Sequence, residues 1–172
     1  GFSLGGNMVL KYLGENSDCL PKEIKRAVTI SVPIDLKACS MEMAKSKNKI
    51  YMKYFFQKFR KRMQAKSQQF PEKIKMNRFP KEETFLAFDN FYTAPAHGYE
   101  DAYDYWSQNS AKNFLSEIQT QTLLINAKND PFLTSECFPF DIAKGHEYLH
   151  LDAPETGGHV GFPKWNLNEV FW

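Results

Sequence analysis

The sequence predicts an α/β protein in which helices alternate with the strands of a mostly parallel sheet. Three short runs, at 26–33, 122–128 and 147–151, have the length and the β-branched, apolar composition of buried strands. Helical patterns separate these runs, and strands joined through helices form parallel sheets because each crossover returns the chain to the same edge. We therefore expect one sheet of parallel strands with helices packed against it.

The first elements follow from local signals. A short helix is predicted over 7–13 and ended by Gly14, since glycine commonly terminates helices. The first strand, 26–33, is stopped by Pro33. Residues 35–66 are predicted to be mostly helical. Within them, apolar residues recur at helical spacing and form one stripe, which consists of Met52, Phe55, Phe56, Phe59 and Met63.

The remaining elements are less regular. Pro71 and Pro80 break the helical pattern into shorter pieces. Residues 81–92 and 100–118 are rich in aromatic side chains and are predicted to be helical or irregular. The second and third strands follow, and another helix is predicted from Lys164 onward.

The charge is divided unevenly along the chain. The formal net charge is +2, but residues 41–83 carry 13 basic and 4 acidic groups, whereas residues 84–172 carry 4 basic and 12 acidic groups. A basic block can bind an anionic surface, or it can be a solvated helical face that balances the acidic remainder of the molecule. The block lacks a known nucleic-acid motif, so no nucleic-acid partner is expected.

Composition excludes several classes of protein. Apolar residues make up 42% of the 172 residues and aromatic residues 15%, which is typical of a packed domain and not of a disordered chain. No run approaches the ~20 apolar residues of a membrane-spanning helix. The three cysteines, Cys19, Cys39 and Cys137, are widely spaced and form no metal or redox motif. We expect reduced thiols and a cytoplasmic protein.

The first five residues, Gly1-Phe2-Ser3-Leu4-Gly5, match the pattern G-x-S-x-G. This pattern forms a sharp turn between a strand and a helix, and the turn presents the serine hydroxyl in a fixed, strained geometry. The positive N-terminal end of the helix then faces the oxyanion that develops during attack on a carbonyl. Ser3 is therefore a candidate nucleophile, and the backbone N–H of Leu4 is a candidate oxyanion donor.

A nucleophilic serine needs a base, and the base needs an acid that orients it. Asp130 follows the second strand, at the carboxyl end where α/β folds place active residues, although an aspartate before proline is also a common turn device. His159 lies in the glycine-rich loop 157–161 after the third strand. The chain order Ser3, Asp130, His159 is the order found when a G-x-S-x-G turn carries the nucleophile, so we predict that these three residues act together.

The other histidines are weaker candidates. His146 and His150 lie at or in the third strand, and His97 lies in a turn-like segment from which it could contact substrate. No grouping of His, Cys and carboxylates has metal-ligand spacing, and no glycine-rich phosphate loop is present. We expect neither a metal nor another cofactor.

Taken in order, five segments resemble the YheT-like α/β-hydrolase family. They are 1–14, 31–36, 92–98 with Asp104 and Tyr105, 124–133 and 157–162. The resemblance covers almost the whole chain. It implies a partial α/β-hydrolase fold over 1–172, with 34–119 as a mainly helical cap inserted between two strands. It also implies Ser3 as nucleophile, Asp130 as acid and His159 as base.

Members of this family act on carboxylic esters, and some act on phospholipids or transfer acyl groups. The resemblance thus implies a serine esterase with a small hydrophobic ester or a lipid as substrate. A non-catalytic protein with the same fold is the other alternative. The basic helix predicted near 49–66 could also rest on an anionic membrane, as a peripheral contact.

Two parts of the family pattern precede Gly1: the strand that leads into the serine and the loop that supplies a second oxyanion donor. We therefore expect the chain to be the later part of a larger enzyme. Losing one oxyanion donor typically lowers the rate about 10²–10³-fold, so we expect the 172-residue chain alone to have impaired activity.

Overall fold

The structure, a computed structural model, describes residues 1–162, 164–166 and 169–171. Three strands form a parallel sheet, and the chain also contains a short antiparallel pair near its end. In chain order the elements are α1 (Ser3–Glu15), β1 (Arg26–Ile30), α2 (Leu36–Met43), α3 (Lys49–Gln69), α4 (Phe85–Phe88), a π-helical segment (Asp89–Thr93), α5 (Ala94–His97), α6 (Ala102–Asn109), β2 (Gln121–Ile125), α7 (Phe140–Ala143), β3 (Leu149–Asp152), β4 (Lys164–Asn166) and β5 (Glu169–Phe171).

The chain divides into two compact units, one made of residues 1–39 with 109–172 and the other of residues 40–108. The residues of the second unit, 40–108, fall within the predicted cap insertion 34–119, which is the longer range. Its role as a cap stays a prediction. None of the helices in the described part of the chain is both long and apolar enough to cross a membrane.

The parallel sheet has the order β1-β2-β3, which confirms the predicted α/β class. Ile30 pairs with Ile125, and Ile125 pairs with Asp152, so the carboxyl ends of all three strands lie side by side. On the other side of β1, Phe2 forms a parallel bridge with Ile30. The two residues before Ser3 therefore run alongside the sheet, in the direction expected of a strand that leads into the serine.

The core of the first unit lies where α1 and the segment 111–118 pack near the sheet. It is made of aliphatic side chains that are almost completely buried, among them Leu10, Leu13, Val32, Ile34, Leu115, Ile118, Leu124 and Leu149. Burying side chains of this size stabilises a fold by roughly 1.5–3 kcal/mol each. This burial holds the parallel sheet and its helix together.

The core of the second unit is aromatic. The rings of Phe59 and Phe88 stack with centroids 4.2 Å apart, and Phe56 contacts both of them edge-on. The sequence-predicted stripe of α3 is thus confirmed as a packed face, with Met52, Phe56 and Met63 buried. Since these rings pack on one another, they form the interior of the unit.

The predicted end of the first helix is wrong. Gly14 lies inside α1, which continues to Glu15 and is followed by Asn16 as its C-cap. A Cβ atom at Gly14 would lie 2.1 Å from the carbonyl oxygen of Phe114. The glycine is therefore explained by a close backbone approach and not by helix termination.

The helix predicted from Lys164 is also wrong. Residues 164–166 pair antiparallel with residues 169–171, with Lys164 opposite Phe171. The segment contains Trp165, Val170 and Phe171, whose side chains favour extended backbone. Residues 163, 167, 168 and 172 of this prediction lie outside the described residues.

We predict that Gly14→Ala destabilises the protein. Alanine would gain about 1 kcal/mol of helix propensity, but the overlap with the Phe114 carbonyl forces the backbone to move, and overpacking typically costs about 1–3 kcal/mol. Urea unfolding should therefore give a lower free energy for Gly14→Ala. Gly5→Ala is the matched control, because a Cβ there meets no atom within 4 Å. Equal stability of the two variants would contradict the steric explanation.

A second prediction concerns Asp89, whose carboxylate is buried in the second unit. It accepts hydrogen bonds from the Thr93 hydroxyl (2.6 Å) and from Trp106 Nε1 (2.8 Å). Burial, which disfavours the charged form, raises the pKa of Asp89 above its usual value of 3.8 despite these bonds. The folded state therefore holds the Asp89 proton more tightly than the unfolded state does.

By linkage, this group stabilises the fold at low pH, and the contribution is lost as the pH rises through the raised pKa. The unfolding free energy of the wild type, minus that of Asp89→Asn, should increase as the pH is lowered from 7 towards 3.8. Asp104→Asn is the control with the opposite sign, because hydrogen bonds from Gln108 and the Glu100 N–H lower the pKa of Asp104. A difference for Asp89 that does not vary with pH would refute the prediction.

Candidate active site

Ser3 lies at a sharp turn between extended and helical backbone. Phe2 is extended, and α1 begins at Ser3 itself. Ser3 has φ = 49°, a left-handed conformation that is uncommon for a residue with a side chain and typically costs on the order of 1–3 kcal/mol. The Ile30 N–H donates to the Gly1 carbonyl at 2.9 Å and fixes the entry to this turn. Strain of this kind is the geometry that the G-x-S-x-G pattern predicts.

Two glycines make the turn sterically possible. A Cβ at Gly1 would lie 2.8 Å from the Gly5 carbonyl oxygen, and a Cβ at Gly6 would lie 2.5 Å from a Val32 methyl group. Gly5 has nothing within 4 Å of its Cβ position. The close approach thus involves Gly1 and Gly6, and Gly6 lies one residue beyond the motif.

His159 is held on a closed loop after β3. The Phe162 N–H donates to the Gly157 carbonyl at 2.8 Å and closes the loop at its base. Gly157 is packed so tightly that a Cβ would lie 2.6 Å from the Phe162 ring, and Gly158 has φ = 58°. The glycines flanking His159 therefore allow a tight packing contact and a left-handed turn.

The structure brings together the three residues that the sequence predicted to act together. His159 Nε2 lies 3.0 Å from Ser3 Oγ, and His159 Nδ1 lies 2.7 Å from Asp130 Oδ2. A carboxylate accepts hydrogen bonds only, so the tautomer of His159 that suits this contact has its proton on Nδ1, which leaves Nε2 to accept from the Ser3 hydroxyl. The Asp130 side chain is 0% exposed and the His159 side chain 17% exposed, so the histidine is reached by solvent and the carboxylate is not.

The sequence left two interpretations of Asp130 open, a turn residue and an acid that binds the histidine, and the contacts of Asp130 fit both. Its Oδ1 accepts a hydrogen bond from the Phe132 N–H at 2.9 Å, which is an Asx turn, while its Oδ2 binds His159. The turn uses one oxygen and orients the other. The Phe132 ring in addition lies 4.4 Å from the imidazole, between ring centroids, and limits the positions that the ring can adopt.

The N–H of Leu4, the candidate oxyanion donor, belongs to the second residue of α1. N–H groups in the first turn of a helix have no carbonyl partner within the helix. The Leu4 N–H therefore belongs to the positive end of α1, next to Ser3 in the chain, and its role as an oxyanion donor stays a prediction. The second donor, which the family resemblance places before Gly1, stays a prediction.

The remaining histidines have other surroundings. His97 ends α5 in the second unit and is exposed, so its contact with substrate stays a prediction. His146 Nδ1 accepts from the N–H groups of Tyr148 and Leu149, which is a structural role at the start of β3. His150 contacts Gln121 on the neighbouring strand. Across the described ranges, no group of three or more His, Cys, Asp or Glu residues could hold a metal ion.

Sequence reasoning missed Asn126, a completely buried residue directly after β2. Its Oδ1 accepts from the Val32 N–H at 2.7 Å, and its Nδ2 donates to the carbonyls of Val32 (3.1 Å) and Cys137 (2.8 Å). It thereby joins the end of β1 to the loop that carries Asp130. An asparagine at a strand end, four residues before the candidate acid, was the only signal.

A second missed residue is Asn129, the neighbour of Asp130. Its Oδ1 accepts from the N–H groups of Gly157 (2.9 Å) and Gly158 (2.8 Å), in the loop that holds His159. The adjacent Lys128 forms an exposed ion pair with Glu155, which lies before that loop. Asn129, next to the candidate acid, thus binds the loop of the candidate base.

Sequence spacing also did not predict that Cys39 and Cys137 would meet. Both thiols are free and buried, and their sulfur atoms lie 3.2 Å apart. The hydrogen bond that they share, followed by burial, raises the pKa of Cys39, so this thiol stays protonated. The pair joins Cys39, in the first unit, to the segment that follows the Asp130 loop.

Comparison with known proteins finds relatives of this chain. The chain is 35% identical to "Putative esterase YheT" of Escherichia coli over 94% of this chain and 47% of that protein. It is 29% identical to "Phospholipase ABHD3" of Mus musculus, over 94% of this chain and 39% of that protein. It is also 29% identical to "Monoacylglycerol lipase" of Saccharomyces cerevisiae, over 95% of this chain and 37% of that protein.

The chain spans less than half the length of each of these relatives. A family model described as alpha/beta hydrolase fold matches residues 1–149, which is most of the chain. The sheet order and the turn at Ser3 fit that description. The chain therefore belongs to the alpha/beta hydrolase fold family.

Proposed function

We propose that the protein is a serine hydrolase that acts on carboxylic esters through an acyl-serine intermediate. The observation that supports this most directly is the continuous hydrogen-bonded series Ser3 Oγ, His159 and Asp130 Oδ2, with distances of 3.0 Å and 2.7 Å. These three groups have the order and the contacts of a nucleophile, a base and an orienting acid. A structural histidine alone does not require a serine in left-handed conformation as its partner.

In the first half-reaction, Ser3 Oγ attacks the ester carbonyl carbon while His159 Nε2 takes the hydroxyl proton. Asp130 keeps the other ring proton on Nδ1 and stabilises the imidazolium that forms. The Leu4 N–H donates to the negative carbonyl oxygen. When the C–O bond to the alcohol breaks, His159 returns the proton to the leaving oxygen, and the acyl group remains on Ser3.

In the second half-reaction, His159 takes a proton from a water molecule, whose oxygen attacks the carbonyl carbon of the acyl-serine. The bond between the acyl carbon and Ser3 Oγ then breaks, His159 returns the proton to Ser3 Oγ, and a carboxylic acid is released. An alcohol in place of water would make the same site an acyltransferase, and no residue of the chain separates these two outcomes. Product analysis with ethanol present distinguishes them, because a transferase forms the ethyl ester in preference to the acid. A non-catalytic protein is the third alternative, and it would form neither product.

A hydrophobic ester or a lipid is the substrate class that we propose. The relatives include an esterase, a phospholipase and a monoacylglycerol lipase by name. Aromatic side chains between residues 55 and 92 could line an acyl-binding site, but their rings largely pack against one another inside the second unit. The proposal of an apolar substrate therefore rests on the relatives and not on this cluster.

We predict that Ser3→Ala abolishes ester hydrolysis and labelling by a fluorophosphonate probe. His159→Ala and Asp130→Asn should lower both rates by about 10²–10⁴-fold, because the proton acceptor or its orientation is lost. His150→Gln is the matched control, because His150 is an exposed histidine on β3, the strand that precedes the His159 loop. This variant should react at the wild-type rate. Full activity in Ser3→Ala would overturn the proposed function.

The same labelling assay tests the impaired activity expected of the 172-residue chain by itself. The rate at which the probe labels Ser3 in this chain should lie well below the rate for a complete esterase of the family. Labelling at an equal rate would show that residues beyond this chain are not needed. The cytoplasmic location expected from the cysteines stays a prediction.

A peripheral contact with an anionic membrane is a further part of the proposal. Helix α3 contains seven Lys or Arg residues and no acidic residue. Its apolar stripe is buried, so membrane contact would involve the opposite, exposed side, which carries Ile50 (77% exposed), Tyr54 (57% exposed), Lys58 and Lys61. Each basic group near an anionic bilayer contributes about 1 kcal/mol, which favours an electrostatic contact over deep insertion.

We predict that the protein binds vesicles containing phosphatidylserine more strongly than neutral phosphatidylcholine vesicles. The double variant Lys58→Glu with Lys61→Glu should lose most of this binding, because two attractive charges become repulsive. The control with the same change of net charge is Lys22→Glu with Lys25→Glu, at exposed positions outside α3. Vesicle sedimentation measures the bound fraction. Equal weak binding to both lipids would leave α3 as a solvated helix face.

A further inference from the structure

We infer that Asn129 is a positioning residue for His159, through the oxygen of its side-chain amide. The inference rests on the proposed serine hydrolase function and adds a residue to it. Asn129 does not contact Ser3 or the imidazole in the structure. It binds the two glycine N–H groups directly before His159, at 2.9 Å and 2.8 Å.

The contact continues the hydrogen bonds between β2 and β3. Beyond the ends of these strands, the Asn126 N–H still donates to the Asp152 carbonyl (3.0 Å), and the Lys128 N–H donates to the Pro154 carbonyl (2.8 Å). At the next step the side chain of Asn129 takes over as the acceptor. The segment with the candidate acid and the segment with the candidate base are thus joined by hydrogen bonds at Asn126, Lys128 and Asn129, between the sheet and His159.

The chemistry of the contact requires an acceptor at this position. Two backbone N–H groups converge on one atom, and an amide oxygen has two lone pairs with which to accept both. Gly157 is buried and Gly158 is in left-handed conformation, so these two N–H groups have a fixed direction. The Lys128–Glu155 ion pair also joins the two segments, but it is exposed and does not bind the His159 loop.

The exposure of Asn129 allows a positioning role to be distinguished from a structural role by experiment. Asn129 is exposed, in contrast to Asn126, which is completely buried. Its replacement should therefore change the thermal midpoint by less than about 4 °C, as expected for the loss of a partly exposed hydrogen bond. A shift of about 1 Å in a catalytic group, in contrast, can lower the rate about 100-fold.

The test compares three variants of the full-length protein. Asn129→Leu has nearly the same size and no acceptor, Asn129→Asp keeps an acceptor oxygen, and Lys128→Ala removes only the neighbouring ion pair. The measurements are kcat and KM for p-nitrophenyl butyrate, the rate of fluorophosphonate labelling, the thermal midpoint and the NMR signal of the proton on His159 Nδ1. Ser3→Ala is measured in parallel, as the test of the proposed function.

We expect Asn129→Leu to lower kcat about 10–100-fold with little change in KM, and to weaken the Nδ1 proton signal although Asp130 is intact. Asn129→Asp should restore most of kcat, and Lys128→Ala should match the wild type. If Asn129→Leu does not fold, Asn129→Ala is measured by the same criteria.

Two results would overturn the inference. One is an unchanged kcat in Asn129→Leu while Ser3→Ala is inactive, which would leave the proposed function intact. The other is an equal loss of kcat in Asn129→Leu and Asn129→Asp, since the acceptor would then not matter. Full activity in Ser3→Ala would instead reject the proposed function itself, so the two failures are distinguishable.

Discussion

The parallel pairing of β1, β2 and β3 is the constraint on which the rest of the first unit depends. Because the strands run in the same direction and are in register, Ile30, Ile125 and Asp152 end at one edge of the sheet. Every segment that leaves this edge begins near its neighbours. The loop with Asp130 and the loop with His159 therefore start side by side, and Phe2, which bridges to Ile30, adds Ser3 to the same edge.

The sheet edge brings the segments close, but it does not by itself orient side chains to within a few tenths of an ångström. Side-chain amides add further hydrogen bonds at this edge. Asn126 joins the end of β1 to the segment after β2, and Asn129 joins the Asp130 segment to the His159 loop. Each replaces backbone hydrogen bonds where the strands have ended. Because a side-chain amide can bind backbone groups outside a strand, the two loops remain hydrogen-bonded after they leave the sheet.

Steric limits act together with these hydrogen bonds. The left-handed Ser3 and the close approaches at Gly1 and Gly6 are features of one turn, and the close approach at Gly157 is a feature of another. In both places a glycine allows backbone or ring atoms into the space that a side chain would fill. The strain at Ser3 is of order 1–3 kcal/mol, which is small compared with the burial of the aliphatic core that holds α1 against the sheet.

Much of the fold could be predicted because its signals are local. The apolar runs gave the three parallel strands, the spacing of Met52, Phe56 and Met63 gave the buried face of α3, and the motif gave the turn at Ser3. One of the two errors, the end of the first helix, came from a residue whose role depends on a distant partner. A glycine at this point is typical of a helix end. Gly14 is instead explained by the close approach of the Phe114 carbonyl, one hundred residues away, which leaves no room for a side chain.

The sequence by itself determined the fold class, the family resemblance and the chain order of Ser3, Asp130 and His159, because these depend on residue type, local periodicity and short motifs. Only the tertiary structure decided that the three side chains form one hydrogen-bonded series, and that Asn126 and Asn129 hold the loops. These contacts join residues 11 to 156 positions apart in the chain. Such pairings depend on strand register and on side-chain direction in three dimensions, and no local pattern encodes either of them.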